Sequence, residues 1–191
     1  MTAVSTKQRP LFNILSFDCA NKSLGVCAAT IDANGKLEVV KLEVVDLIPG
    51  RKVKCTNCIE RAIGLKNYLN KEWIKTCSWD LVLIEYQLIS NDKSRIVSMQ
   101  LCYHFADISK VKIVKPAAKN TIHFTNNLAY GNYAEKYSSN YVANKKHCAA
   151  NLLHYVKTRN KMHLLKGIPK SRYADVGDAF MQMLAYLKIN K

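Results

Sequence analysis

Leu81-Val82-Leu83-Ile84-Glu85 is the stretch on which the fold turns. Four consecutive large aliphatic residues leave no polar face, so this segment is too apolar to be a half-exposed strand. It reads as a central, parallel strand covered on both faces. Parallel strands need helical crossovers, and the flanking sequence supplies them. Residues 56–74 carry Ile59, Ala62, Ile63, Leu65, Leu69 and Trp73 at helical spacing, interrupted only by Gly64, and Ser94 to Ile108 reads as a second helix.

Working outward, residues 12–18 and 25–31 are short apolar runs joined by Asn21-Lys22-Ser23-Leu24, which predicts a hairpin. Residues 37–47 add a third strand after the turn Ala33-Asn34-Gly35, and Val111 to Lys115 a fifth, stopped by Pro116. Residues 117–139 give no periodic signal and read as a loop. Tyr141 to Val156 and Tyr173 to Ile189 read as helices, separated by a basic connector with Gly167 and Pro169. The order β-β-β-α-β-α-β-α-α predicts an α/β fold, a mixed five-stranded sheet flanked by helices. The chain reads as one domain over 1–191, with 1–11 as a flexible N-terminus.

Composition narrows the class. With 191 residues the core needs neither disulfide nor zinc to hold it. No apolar run approaches the roughly 18 residues of a membrane span, and the first residues lack a secretory pattern. Seven cysteines is an odd number, and Cys19, Cys27 and Cys102 lie inside apolar patterns, which predicts reduced thiols in an intracellular compartment. The net charge of +15 is lopsided: residues 110–172 carry 13 Lys/Arg against the single acid Glu135. Such a segment is the electrostatic footprint of a nucleic-acid binder. Lys115, Lys119, Lys145, Lys146, Arg159, Lys161 and Arg172 are its candidate phosphate contacts.

Against that background four acids stand out. Asp18 and Glu85 each end an apolar strand, and Asp175 and Asp178 lie three apart at the start of the last helix, hence on one face. Singly each has an ordinary explanation, such as a turn residue or a helix-start acid. Together, four close carboxylates repel one another unless cations neutralise them. Mg²⁺ suits them, being hard and taking carboxylate and phosphate oxygens, and two such ions can clamp a phosphodiester. The acids therefore predict a metal site beside a nucleic-acid track.

The same residues carry a resemblance. Phe17-Asp18-Cys19-Ala20-Asn21-Lys22, Ile84-Glu85-Tyr86-Gln87 and Asp175-Val176-Gly177-Asp178-Ala179-Phe180 resemble the three acidic motifs of poxvirus-type Holliday junction resolvases. That family is related to the bacterial and fungal mitochondrial resolvases and has the ribonuclease H-like fold. The resemblance runs in order over nearly the whole chain. It implies a homodimer that resolves four-way DNA junctions by paired symmetric nicks, with Mg²⁺ or Mn²⁺ (two ions per site) and no small-molecule cofactor. It implies metal ligands at Asp18, Glu85, Asp175 and Asp178, and a role in processing branched DNA in a large DNA virus. It also implies an active-site lysine in the basic helix, a place that both Lys145 and Lys146 fit, with Lys145 read as the catalytic one. The chain departs from the pattern at Ala20, where Gly is usual, at Tyr86, where Arg is common, and at Ala174, often an acid.

Other signals are weaker. Cys55-Thr56-Asn57-Cys58 is a CxxC, but no second CxxC completes a zinc site, and Cys77, Cys102, His104 and His123 are scattered. His147 and His154 read as DNA-facing or surface groups. Tyr130, Tyr133, Tyr137 and Tyr141 interleave with the basic stretch and read either as base-stacking or as packing residues. No Gly-rich phosphate loop is present. Two rivals to a junction nuclease are a related nuclease acting on RNA or an RNA–DNA hybrid, and a non-catalytic DNA-binding protein.

Overall fold

The structure is a computed structural model and describes residues 11–20, 22–52, 57–88 and 90–189. Apart from Leu11, the expected flexible N-terminus lies outside the described residues, as do Asn21 of the hairpin loop and Cys55 of the CxxC. Five strands form one sheet, β1 (Phe12–Cys19), β2 (Ser23–Ile31), β3 (Leu37–Asp46), β4 (Leu81–Glu85) and β5 (Lys110–Val114), in the order β3-β2-β1-β4-β5. The first three are antiparallel, whereas β4 runs parallel to both β1 and β5. All five residues of β4 are buried, as its lack of a polar face demands. The edge strand β5 carries Lys110 and Lys112 exposed, a common guard against edge pairing.

Helices cover both faces. α1 (Cys58–Leu69), the short α2 (Glu72–Lys75) and α3 (Asp92–Phe105) lie on one side; α4 (Tyr130–Lys136), α5 (Asn140–Thr158) and α6 (Tyr173–Ile189) build the other. Strand side chains alternate between faces. Leu15, Phe17, Val82 and Ile84 pack with Leu65, Val97, Leu101 and Phe105 under α1 and α3. Ile14, Leu81 and Leu83 pack with Leu152, Val176, Phe180 and Met183 under α5 and α6. The same parity sends Asp18 and Glu85 toward α6.

Two expectations need correction. The first helix stops at the Asn70 cap, and α2 follows it. Its buried stripe is Arg61, Leu65, Tyr68 and Leu69, leaving Ile59 and Ile63 exposed. An Asn57–Glu60 capping box and a bond from Arg61 Nη1 to Asn57 O (2.9 Å) set this rotation. Residues 117–139 are not a loop: two 3-10 turns (Pro116–Thr121 and Asn126–Leu128) precede α4. They are held by buried polar groups of α5. Asn151 accepts from Phe124 N (3.0 Å) and donates to Leu128 O (3.0 Å), and His147 Nε2 lies 3.0 Å from Ile122 O. Among the described residues no helix is long and apolar enough to cross a membrane.

Candidate active site

β1 and β4 are in register from Ile14 beside Leu81 to Phe17 beside Ile84, so Asp18 and Glu85 emerge side by side at the carboxyl end of the sheet. α6 brings the other two acids, and two glycines let it approach. A Cβ on Gly25, which pairs with Asp18, would fall 2.1 Å from the carbonyl oxygen of Asp175. A Cβ on Gly177 would meet the Cys148 backbone at 2.8 Å. Bare backbone at both places lets the first turn of α6 lie against β2 and α5. One turn on, Gln182 Nε2 donates to Ser16 Oγ (3.1 Å) and Phe17 O (3.2 Å), tying the helix to β1.

The four acids close on two ammonium groups. Lys119 Nζ donates to Glu85 Oε1 (2.6 Å) and Asp178 Oδ1 (3.0 Å), and lies 3.9 Å from Asp18 Oδ1. Lys145 Nζ donates to Asp178 Oδ2 and Asp175 Oδ1, and lies 3.7 Å from Asp18 Oδ2. Arg172 Nε donates to Asp175 Oδ2 (2.5 Å), Gln87 Nε2 to Glu85 Oε2 (2.9 Å), and Asn144 Nδ2 to Asp178 Oδ1 (3.4 Å). Burial is deep: Asp18 is 5 % exposed, Asp178 1 % and Lys119 2 %.

That burial sets the ionisation. Burial raises the Asp18 carboxyl well above its ordinary range, and Asp178 and Glu85 add to the rise against the pull of Lys119 and Lys145. At Asp178 burial also works upward, but Lys119 and Lys145 overcome it and the carboxyl is lowered. Burial alone would lower both lysines; the surrounding carboxylates, Asp178 and Asp18 foremost, raise them instead, so both stay charged. Of the two buried aspartates, Asp18 is thus the one whose charge the lysines do not offset.

The donor chemistry fits a hard divalent ion. Among the described residues no three metal-ligating side chains converge on a single point. Instead, carboxylate oxygens alone bracket two ammonium cations, which occupy the place of the charge that an oxygen-seeking ion would supply. The pocket in front of them measures about 230 Å³ and is lined on its outer side by Tyr86, Leu88 and Tyr141.

The sequence-derived residues distribute unevenly. Asp18, Glu85, Asp175, Asp178 and Lys145 come together, and Lys146, one position on, points to solvent. Lys119 is a correction: expected to contact phosphate at the surface, it is buried among the acids. Because β5 neighbours β4, the turn leaving β5 passes beside Glu85 and delivers this lysine. That adjacency was the available signal, and the featureless 117–139 stretch hid it. Lys115 and Arg159 are exposed, but Lys161 is engaged by Glu38 and Arg172 by Asp175. Arg159 lies about 21 Å along α5 from Lys145, fourteen residues at 1.5 Å each. His147 is another correction, being fully buried with Tyr130 and Tyr133 edge-on to its ring. Those two tyrosines are packing residues; Tyr141, 70 % exposed, is not.

No family model and no curated protein matches the chain by sequence. Solved structures do match. The fowlpox virus resolvase in complex with its substrate Holliday junction DNA superposes with a TM-score of 0.60 at 17 % identity, over 94 % of this chain and 99 % of that one. The fold is that of the Holliday junction resolvases. Thermus thermophilus RuvC in complex with a Holliday junction substrate gives 0.57 at 14 % identity, over 93 % of this chain and 96 % of RuvC. The yeast mitochondrial Holliday junction resolvase Ydc2 gives 0.54 at 16 % identity, over 97 % and 86 %. The resolvase fold therefore accounts for the chain nearly end to end, with the mixed five-stranded sheet and flanking helices expected from the sequence.

Proposed function

We propose that this protein is a metal-dependent endonuclease that resolves four-way DNA junctions. One observation carries the reading: four carboxylates from β1, β4 and α6 gather with the buried Lys119 and the half-buried Lys145 at the carboxyl end of the resolvase-type sheet. A structural ion pair has no use for so many charges in one pocket, whereas phosphodiester hydrolysis does. The structures that share this fold include two bound to Holliday junction DNA, which favours branched DNA as substrate.

Asp18, Glu85, Asp175 and Asp178 are assigned to hold Mg²⁺ or Mn²⁺, two ions per site. When bound, the metal supplies the charge that neutralises the scissile phosphate and makes water a competent nucleophile at neutral pH. Lys145, at the pocket mouth, faces the phosphate and offsets the negative charge that grows on its oxygens. Lys119, held by Glu85 and Asp178, keeps those two carboxylates apart and helps to lower the Asp178 carboxyl. Gln87 orients Glu85, and Arg172 orients Asp175. Water adds to phosphorus, the bond to O3′ breaks, and the O3′ leaving group takes up a proton. The products are a 3′-hydroxyl and a 5′-phosphate.

Two symmetric nicks need two sites, which we assign to a homodimer. The side of the sheet opposite the acids offers the surface for it: α1 exposes Ile59 and Ile63, and α3 exposes Met99 and Tyr103, the last to 89 %.

The test is cleavage of a synthetic four-way junction in Mg²⁺ by wild type, Asp18→Asn, Glu85→Gln and Asp178→Asn. Each substitution is expected to cost on the order of a thousandfold in rate while binding persists. Full activity in all three variants would sink the metal-site reading. No cleavage of junction, flap or duplex by wild type would leave a DNA-binding protein. Much faster cutting of an RNA–DNA hybrid would make it a nuclease of another substrate.

A further inference from the structure

The acid pocket ends at Tyr141 and Lys145, and a second concavity begins at the same two side chains. It measures about 300 Å³, and Lys146, Lys170, Ser171 and Asp175 are the polar residues of the rest of its wall, with Ala149 and Ala174 between them. The two hollows share a boundary, so a strand with one phosphate over the acids runs directly into the second.

The charge in the second hollow is the reverse of that in the first. Its single acid, Asp175, is already bonded by Arg172 and Lys145. Lys145 is itself engaged by three carboxylates. Lys146 and Lys170 are exposed, and among the described residues neither forms an ion pair. Ser171 brings a hydroxyl to the same wall. The hollow also lies at the amino end of the 17-residue α6, where the helix dipole favours an anion. It carries uncompensated positive charge in a concave space with room for a phosphate and part of its sugar, next to the pocket where a phosphodiester would be cut.

We propose that this hollow is a subsite for the backbone phosphate adjacent to the scissile one on the cleaved strand. Lys170 and Lys146 are its counter-charges, Ser171 is its hydrogen-bond donor, and Tyr141 stands against the sugar that joins the two phosphates. The inference rests on the nuclease reading and deepens it, adding Lys170 and Ser171 to the residues that hold the strand.

The experiment is binding of a fluorescent four-way junction in EDTA, where nothing is cut, by wild type, Lys170→Ala and Ser171→Ala. Lys170 is exposed, and circular dichroism verifies the fold of each variant. Lys170→Ala is expected to weaken binding about tenfold at low salt and to reduce the slope of log K against log salt by about one. Ser171→Ala is expected to weaken it about threefold with the slope unchanged, as for loss of an uncharged donor. A single methylphosphonate at the flanking position should cost wild type as much as the lysine does, and cost Lys170→Ala little. Unchanged affinity and slope in Lys170→Ala, or an undiminished methylphosphonate penalty in it, overturns the subsite. Wild type that binds the junction but cuts nothing in Mg²⁺ overturns the nuclease reading, and the binding data still decide the subsite. Wild type that binds no DNA overturns both.

Discussion

The two faces of the central sheet are built from the same strands, one residue out of step. Toward α3, β1 and β4 present Phe17 and Ile84, which meet Leu101 and Phe105 in an apolar layer, with the Phe17 and Phe105 rings 5.8 Å apart. Toward α6 they present Asp18 and Glu85, which meet Asp178, Lys119 and Lys145. Backbone geometry and burial are alike on the two sides. The first face stabilises by removing hydrocarbon from water; the second consumes part of that stability to keep charges together in a poorly solvating place. Stability and the proposed chemistry are thus divided across the thickness of one sheet, and each can be attacked without the other.

The largest expected effect separates the faces. Gly25→Val puts a branched side chain where the Asp175 carbonyl lies and pushes α6 off β2. Cleavage should fall by more than about a hundredfold, in line with the cost of small misplacements at a reacting centre, while circular dichroism shows a folded protein. Phe17→Ala on the opposite face should do the reverse: a loss of about 3–5 kcal/mol in urea unfolding, with the rate per folded molecule retained. If Phe17→Ala slows the chemistry as much as Gly25→Val does, the division fails.

Next in size is Lys119→Met. Removing the ammonium leaves Glu85, Asp178 and Asp18 buried against one another, at a cost of about 3–5 kcal/mol. Mg²⁺ should recover more of the thermal midpoint in this variant than in wild type, because the ion replaces the lost charge. Equal Mg²⁺ shifts in both proteins would count against the acids as a cation site.

A smaller effect belongs to the outer surface of the apolar side. Met99→Glu combined with Tyr103→Glu should move sedimentation from the proposed dimer to monomer and slow paired nicking while single nicks continue. A double variant still sedimenting as a dimer would place the second copy elsewhere.

The smallest concerns His147, which burial holds below its ordinary value of 6.5. A base lowered in the folded state is protonated more readily when unfolded. Its contribution is therefore fully present above about pH 6.5 and lost as pH falls through that value toward the folded one. The thermal midpoint should drop between pH 7 and pH 5, and less so in His147→Gln. An unaltered pH slope in that variant would remove His147 as the cause.

The strands and the four acids were readable in the sequence because both signals are local. Period-two burial fixes which side Asp18 and Glu85 occupy, and an i,i+3 pair on a helix needs no partner to be recognised. What escaped depended on contacts made at a distance. The stripe of α1 turned away from Ile59 and Ile63 because Arg61, a charged residue, took the buried place. The turns after Pro116 follow no apolar period, being pinned by Asn151 and His147 from α5. Lys119 resembled any other lysine of a basic stretch until the order of β4 and β5 put it beside Glu85.

Gln182 draws a further consequence. A helix lined with Phe180, Met181 and Met183 rests on oily neighbours that would tolerate a small screw motion. One residue of such a motion advances a helix about 1.5 Å and turns it about 100°, which would swing Asp178 out of reach of Lys119. The amide of Gln182, bonded to Ser16 Oγ and the Phe17 carbonyl, with no hydrogen-bond partner for its own oxygen among the described residues, acts as an index pin against that slip. The accuracy of the acid cluster is therefore set in the middle of the core, by a side chain whose hydrogen bonds go to Ser16 and the Phe17 backbone rather than to the acids.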